Sequence, residues 1–162
     1  MPKLVVVIDD ERPIRDLVGT LLMEEGWPVR TYSSAVAALD EITSGGISPD
    51  VILLDMRMPG MDGPQFAEAL RVHTASIPIV VMTAARDARQ WAEAISAAGY
   101  IPKPFDIDWV IDTVTGVIGE PDGAGDPGEM DGTSKYSFSS IPVALQRRIR
   151  QWVGGESLPS PA

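Results

Sequence analysis

The chain has 162 residues, of which 44% are apolar and 22% charged, with a net charge of −10 at pH 7, a make-up that fits a soluble globular protein and excludes a fibrous or wholly disordered one. No apolar run approaches the roughly 20 residues of a membrane span, and "MPKLVVVIDD" lacks the plan of a secretory signal. Cysteine is absent, which excludes disulfides and thiolate metal sites and fits a cytoplasmic location. The charge is unevenly placed: residues 1–118 carry −8, residues 119–132 carry −5 and residues 133–162 carry +3. The main body therefore repels nucleic acid, and direct DNA binding is not expected of it.

Val5 to Ile8 is a continuous apolar run, as in a strand covered on both faces. From Pro13 to Glu25, Ile14, Leu17, Val18, Leu21 and Leu22 recur at helical spacing, with Gly26 just past the end. "WPVRTY" predicts a short strand. Ser33 or Ser34 caps a helix that carries Val36, Leu39 and Ile42 and stops at Gly45-Gly46. "PDVILLD" is a second fully apolar strand, ending at Asp55. The turn-rich "MPGMDG", whose Gly60 and Gly63 call for special backbone angles, leads to a helix with Phe66, Ala67 and Leu70 inward. "IPIVVMTA" is a third buried strand, and Arg86 to Ala97 an Ala-rich helix. "GYIPKPF" is a short strand broken by two prolines. Asp108 caps a last helix bearing Trp109, Val110, Val114, Val117 and Ile118.

Strand and helix alternate five times within residues 1–118. That rhythm predicts an α/β domain, a doubly wound, five-stranded parallel sheet of flavodoxin-like order 2-1-3-4-5 with helices on both faces. Residues 119–134, "GEPDGAGDPGEMDGTS", form an acidic Gly/Pro-rich linker. Residues 135–162 form a tail with one short amphipathic helix, at about 140–153, whose stripe is Leu145, Ile149, Trp152 and Val153. Arg147, Arg148 and Arg150 lie mostly off that stripe.

The polar residues of this sheet fall at one edge. Asp9 and Asp10 follow the first strand, Asp55 ends the third, Thr83 ends the fourth and Lys103 follows the fifth. In the proposed order these carboxyl ends converge on one pocket. Three carboxylates brought that close need a cation. A site of oxygen ligands with no His or Cys suits Mg²⁺ or Mn²⁺. A carboxylate beside such an ion can attack a phosphoryl group and form an acyl phosphate. Lys103 can neutralise the phosphoryl oxygens and the Thr83 hydroxyl can donate to one. Small Ala84 leaves room for the incoming group. Glu11 is assigned to the helix start, and His73 to the solvated surface.

"IDDE", "VILLDMRMPGMDG", "PIVVMTA" and "GYIPKPF" together resemble the four signature stretches of the response-regulator receiver domain, the phosphoacceptor half of two-component signalling. The resemblance covers roughly residues 3–118, and four stretches in order make it specific. It implies that Asp55 accepts the phosphoryl group and that Asp10 binds Mg²⁺ directly, with Asp9 supporting it. The backbone carbonyl of Arg57 would be a further metal ligand. Thr83 and Tyr100 would be the switch pair, Lys103 would pair with the acyl phosphate, and the Lys103–Pro104 peptide would be cis. "SAAGY" replaces the Gly-Ala-rich turn common before the switch aromatic. Arg57, two residues after Asp55, would hang over the pocket mouth, within reach of the phosphoryl group or of a neighbouring acid.

The implied donor is a histidine kinase or histidine phosphotransfer protein. The implied output is a change in the face of helix 4, strand 5 and helix 5, read by a protein partner or a second copy of the chain, with no membrane involved. Self-catalysed phosphorylation and dephosphorylation would be its only chemistry. Two alternatives stand beside this reading. A haloacid-dehalogenase-like phosphohydrolase would also use an Asp nucleophile and Mg²⁺, but it wants an acid at position 57, where the chain has Arg. A degenerate receiver would only bind, although Asp9, Asp10, Asp55, Thr83 and Lys103 are all present.

Overall fold

The computed structural model describes residues 2–122. The expected tail helix at about 140–153 lies outside them. Five strands and five helices alternate: β1 (Val5–Ile8), α1 (Arg12–Glu25), β2 (Val29–Tyr32), α2 (Ala35–Thr43), β3 (Val51–Asp55), α3 (Gly63–His73), β4 (Ile79–Ala84), α4 (Ala85–Ala94), β5 (Gly99–Lys103) and α5 (Ile107–Ile118). The sheet runs β2-β1-β3-β4-β5, and every pairing is parallel. This is the predicted order. Parallel strands need crossovers, and the crossover helices cover both faces.

The pleat divides each central strand between two cores. Val6 and Ile8 of β1, Ile52 and Leu54 of β3, and Ile79 and Val81 of β4 share one cluster with Ala35 and Ala38 of α2, Phe66 and Leu70 of α3, and Ala92 of α4. Val5, Val7, Leu53, Val80 and Met82 alternate with them and are equally buried. On that second face α1 and α5 touch each other and the sheet. The α1 stripe Ile14, Leu17, Val18, Leu21 and Leu22 is buried, as predicted. A helix this amphipathic is held by its apolar face more than by its intrinsic propensity.

Four local details differ from the sequence reading. In α2, Ser34, one of the two expected caps, accepts from the Ala37 N–H at 3.4 Å through its Oγ. The buried face is Ala35, Ala38 and Ile42, while Val36 is 46% exposed. Small residues face the core there because α2 also packs against α3. Helix α4 stops at Ala94, three residues before the predicted Ala97. Ser96 adopts a left-handed conformation (φ 52°). The Ala97 N–H donates to the Ala92 carbonyl at 2.8 Å and the Ser96 N–H to that of Glu93 at 3.3 Å, the bond pair of a Schellman stop. Ile95 still lands on the buried side, so the apolar period does not register the end.

In α5 the cap is Asp106, accepting from the Asp108 N–H at 3.1 Å, and not Asp108 itself. Trp109, counted among the apolar residues of this helix, is 44% exposed. Its Nε1–H donates to the Tyr100 carbonyl at 3.0 Å, so its polar edge is anchored on β5 instead of lying under the sheet. Val110, Ile111 and Val114 fill the inner face. Just past α5, Pro121 is buried, 3.4 Å from where a Cβ on Gly26 would lie.

Candidate functional site: an acidic pocket at the carboxyl edge of the sheet

The register sets the pocket. Ile8 pairs with Leu54 and Asp55 with Met82, so the residues just past β1 and at the end of β3 share one level. Thr83 and Ala84 pair with Pro102 and Lys103. Asp9, Asp10, Asp55, Thr83 and Lys103 therefore meet along one edge, as the strand-end reading required.

Asp9, Asp10 and Asp55 can each offer one carboxylate oxygen to a set lying within 4.8 Å of one another. Asp9 is fully buried, Asp55 is 4% exposed and Thr83 2% exposed, whereas Asp10 faces solvent. Both Asp9 oxygens are engaged: Oδ1 accepts from the Glu11 N–H at 2.9 Å and Oδ2 from Lys103 Nζ at 2.6 Å. Lys103 Nζ also lies 3.6 Å from Asp55 Oδ2 and 3.9 Å from Glu11 Oε1. Glu11, assigned to the helix start, is both the N-cap residue of α1 and an outer member of the Lys103 cluster. Asp55 Oδ1 accepts from the Arg57 N–H at 3.2 Å.

Crowding acids out of water raises the proton affinity of the most enclosed one. The Asp55 carboxyl is pushed up to about 7, chiefly by burial. Lys103 opposes this, Asp9 adds to it, the Arg57 N–H opposes it and Asp10 adds to it. A donor set of carboxylates and no nitrogen or sulfur fits a hard divalent cation, whose charge would reverse that bias.

The pocket mouth is built by the loop after β3. Gly60 adopts a left-handed conformation (φ 76°), as "MPGMDG" suggested. Gly63 does not. A Cβ there would lie 2.6 Å from the Met56 Cα and 2.8 Å from the Asp55 carbonyl oxygen, so it is close approach, not backbone angle, that excludes a side chain. Asp62 and Gln65 close a reciprocal capping box at the start of α3, which ties the loop down behind Asp55. Ala84 is exposed beside the pocket, and the Lys103–Pro104 peptide is cis.

Tyr100 is half-buried, its ring 6.2 Å from that of Trp109 at an interplanar angle of 49°. The Arg57 guanidinium takes the neighbouring-acid option, meeting Asp87 Oδ2 of α4 at 2.8 Å. Arg15 went unnoticed in the sequence. Its Nη1 donates to the carbonyl oxygens of Asp9 at 2.7 Å and Asp10 at 3.0 Å, bracing the turn that carries both acids. The available signal was its place one helical turn into α1, directly behind the acid cluster. His73 is exposed, as expected.

The family model of the response regulator receiver domain matches residues 5–115. Sporulation initiation phosphotransferase F of Bacillus subtilis (strain 168) is 34% identical over 116 residues, covering 70% of this chain and 92% of that protein. The DNA-binding transcriptional regulator NtrC of Klebsiella pneumoniae is 35% identical over 114 residues, 69% of this chain but 24% of that protein. Among solved structures, a response regulator receiver protein from Burkholderia phymatum aligns with a TM-score of 0.66 at 33% identity, covering 73% of this chain and 96% of that one. The chemotaxis protein CheY4 of Vibrio cholerae aligns with a TM-score of 0.63 at 29% identity, covering 72% and 99%. With a matched region that holds the whole acidic edge of the sheet, the chain belongs to the response regulator receiver domain family of two-component signalling.

Proposed function

We propose that the chain is a phosphoacceptor that takes a phosphoryl group from a phosphohistidine of a histidine kinase or phosphotransfer protein onto Asp55. An Asp55 carboxylate oxygen attacks phosphorus, the phosphorus–nitrogen bond breaks, and the imidazole leaves with the electron pair of that bond. Asp9, Asp10, the Asp55 carboxylate and the Arg57 carbonyl would hold Mg²⁺, which supplies Lewis-acid neutralisation of the transferring group. Lys103 offsets charge on the phosphoryl oxygens, and the Thr83 hydroxyl donates to one of them. Exposed Ala84 leaves the approach open. Transfer and hydrolysis are self-catalysed.

The observation that carries this reading is the position of Lys103 Nζ, 2.6 Å from Asp9 and 3.6 Å from Asp55. A single cation spans two buried acids and leaves a cluster of three carboxylates that still asks for a second cation. Phosphorylation then biases the face of α4, β5 and α5, with Thr83 and Tyr100 as the coupled pair, and a protein partner or second copy reads that face. Radiolabelled transfer from a phosphorylated histidine phosphotransfer domain tests the reading. Label is expected on the wild-type chain in the presence of Mg²⁺ and not on Asp55→Asn. Equal labelling of both would remove Asp55 from the role.

A further inference from the structure

Arg57 makes two contacts from its two ends. Its backbone N–H donates to Asp55 Oδ1 at 3.2 Å, while its guanidinium donates to Asp87 Oδ2 at 2.8 Å. Asp87 sits in the first turn of α4, where the positive end of the helix dipole favours an acid. One residue thus links the backbone that holds Asp55 to the first turn of α4.

Apart from this tie, the helix itself buries only small side chains. Its buried residues are Ala88 and Ala92, with Trp91 partly buried beside them; α1, by contrast, buries six residues. Two alanine methyls remove little apolar surface from water. The cap residue of α4 is Ala84, which offers no side-chain bond. At the far end the Arg71 guanidinium of α3 donates to the Ile95 carbonyl and, at 3.5 Å, to that of Ser96. An arginine from the α3 side therefore holds each end of α4.

We propose that Asp87 is a positioning residue. Through Arg57 it ties the first turn of α4 to the loop that follows Asp55, so that the state of Asp55 and the opening of α4 are coupled. The coupling rests on the phosphoacceptor reading; the tie itself does not. The pair is partly solvated, with Arg57 64% and Asp87 22% exposed, so its effect is modest. Arg86 Nε lies 3.9 Å from the same Asp87 oxygen, so removing Arg57 leaves Asp87 a cationic neighbour.

Amide exchange of residues 88–94 in the full chain reads the tie, because these amides bond to carbonyls one turn back. Arg57→Ala and Asp87→Asn are each expected to speed that exchange by about 1.4- to 5-fold. The double variant is expected to go no further, and Asp87→Glu to restore most of the protection. With Mg²⁺ and beryllofluoride as the phosphoryl mimic, the change in α4 exchange seen in the wild type should shrink equally in the two single variants. Unchanged exchange in the singles, or additive effects in the double variant, would overturn the tie. A full mimic response in the singles would overturn the coupling. A wild type that gives no mimic response would take the coupling and the phosphoacceptor reading down together, while the untreated exchange still judges the tie.

Discussion

Lys103 is the cation that the buried acids Asp9 and Asp55 share. Its side chain is 12% exposed and that of its partner Asp9 is fully buried. Deleting one member of a buried pair leaves the other charge uncompensated. Lys103→Met is expected to lower stability by about 3 kcal/mol in urea unfolding without added metal, and to abolish accumulation of phosphorylated protein. Asp55 makes the complementary case. Its carboxyl is pushed up to about 7 in the fold, against an ordinary unfolded value near 4. The native state then holds a proton that the unfolded state has lost, so the stability contributed by this group is present below about pH 4 and is lost as pH rises through 7. Relative to Asp55→Asn, which does not titrate, the wild-type melting temperature should fall across that window. A saturating divalent cation should restore it, by about 2.7 kcal/mol at a hundredfold excess over its dissociation constant. A flat difference between the two proteins from pH 4 to 8 would contradict the cause assigned to the shift.

At the scale of the elements, the sharpest prediction concerns the end of α4. Ser96 occupies a left-handed conformation that L-residues with a Cβ adopt at a cost of about 1 kcal/mol. Ser96→Gly is therefore expected to stabilise the fold by up to about 1 kcal/mol in urea, without altering the phosphorylation rate. Gly63→Ala should do the opposite, because its new methyl meets backbone atoms of Met56 and Asp55. Overpacking of this kind costs about 1–3 kcal/mol, and here it displaces the backbone of the acceptor itself. These two positions mark the limit of what the chain alone discloses. The strand ends were legible because fully apolar runs stop abruptly at Asp9, Asp55 and Thr83, and a parallel sheet gathers such ends on one edge. Trp109 was not legible, because its place in the apolar period of α5 says nothing of the Tyr100 carbonyl that holds its indole N–H outside the core. The "SAAGY" departure marked the helix end near Ser96 as unusual, but the apolar period runs on to Ile95 and hid where the helix stops. Gly63 was marked as special, but its reason is close approach to Asp55 at the end of β3 and to Met56 just past it, which no local pattern encodes. Arg15 reads as ordinary helix surface until the turn it braces is seen in space.

For the whole molecule, the sheet order converts four separated stretches of chain into one pocket. The same order places α4, β5 and α5 side by side next to it. The described part of the chain spans nearly all of the phosphotransferase it resembles and about a quarter of NtrC, so the receiver body is the shared unit. In the proposed function, this body is a divalent-cation-dependent phosphoacceptor at Asp55. Intact-mass measurement after incubation with a small acyl phosphate tests it most directly, with Mg²⁺ or with EDTA, on the wild type and on Asp55→Asn. A gain of one phosphoryl group is predicted only for the wild type and only with Mg²⁺. Folded wild-type protein that gains no mass with Mg²⁺, or an Asp55→Asn variant that gains it equally, would remove Asp55 from the acceptor role.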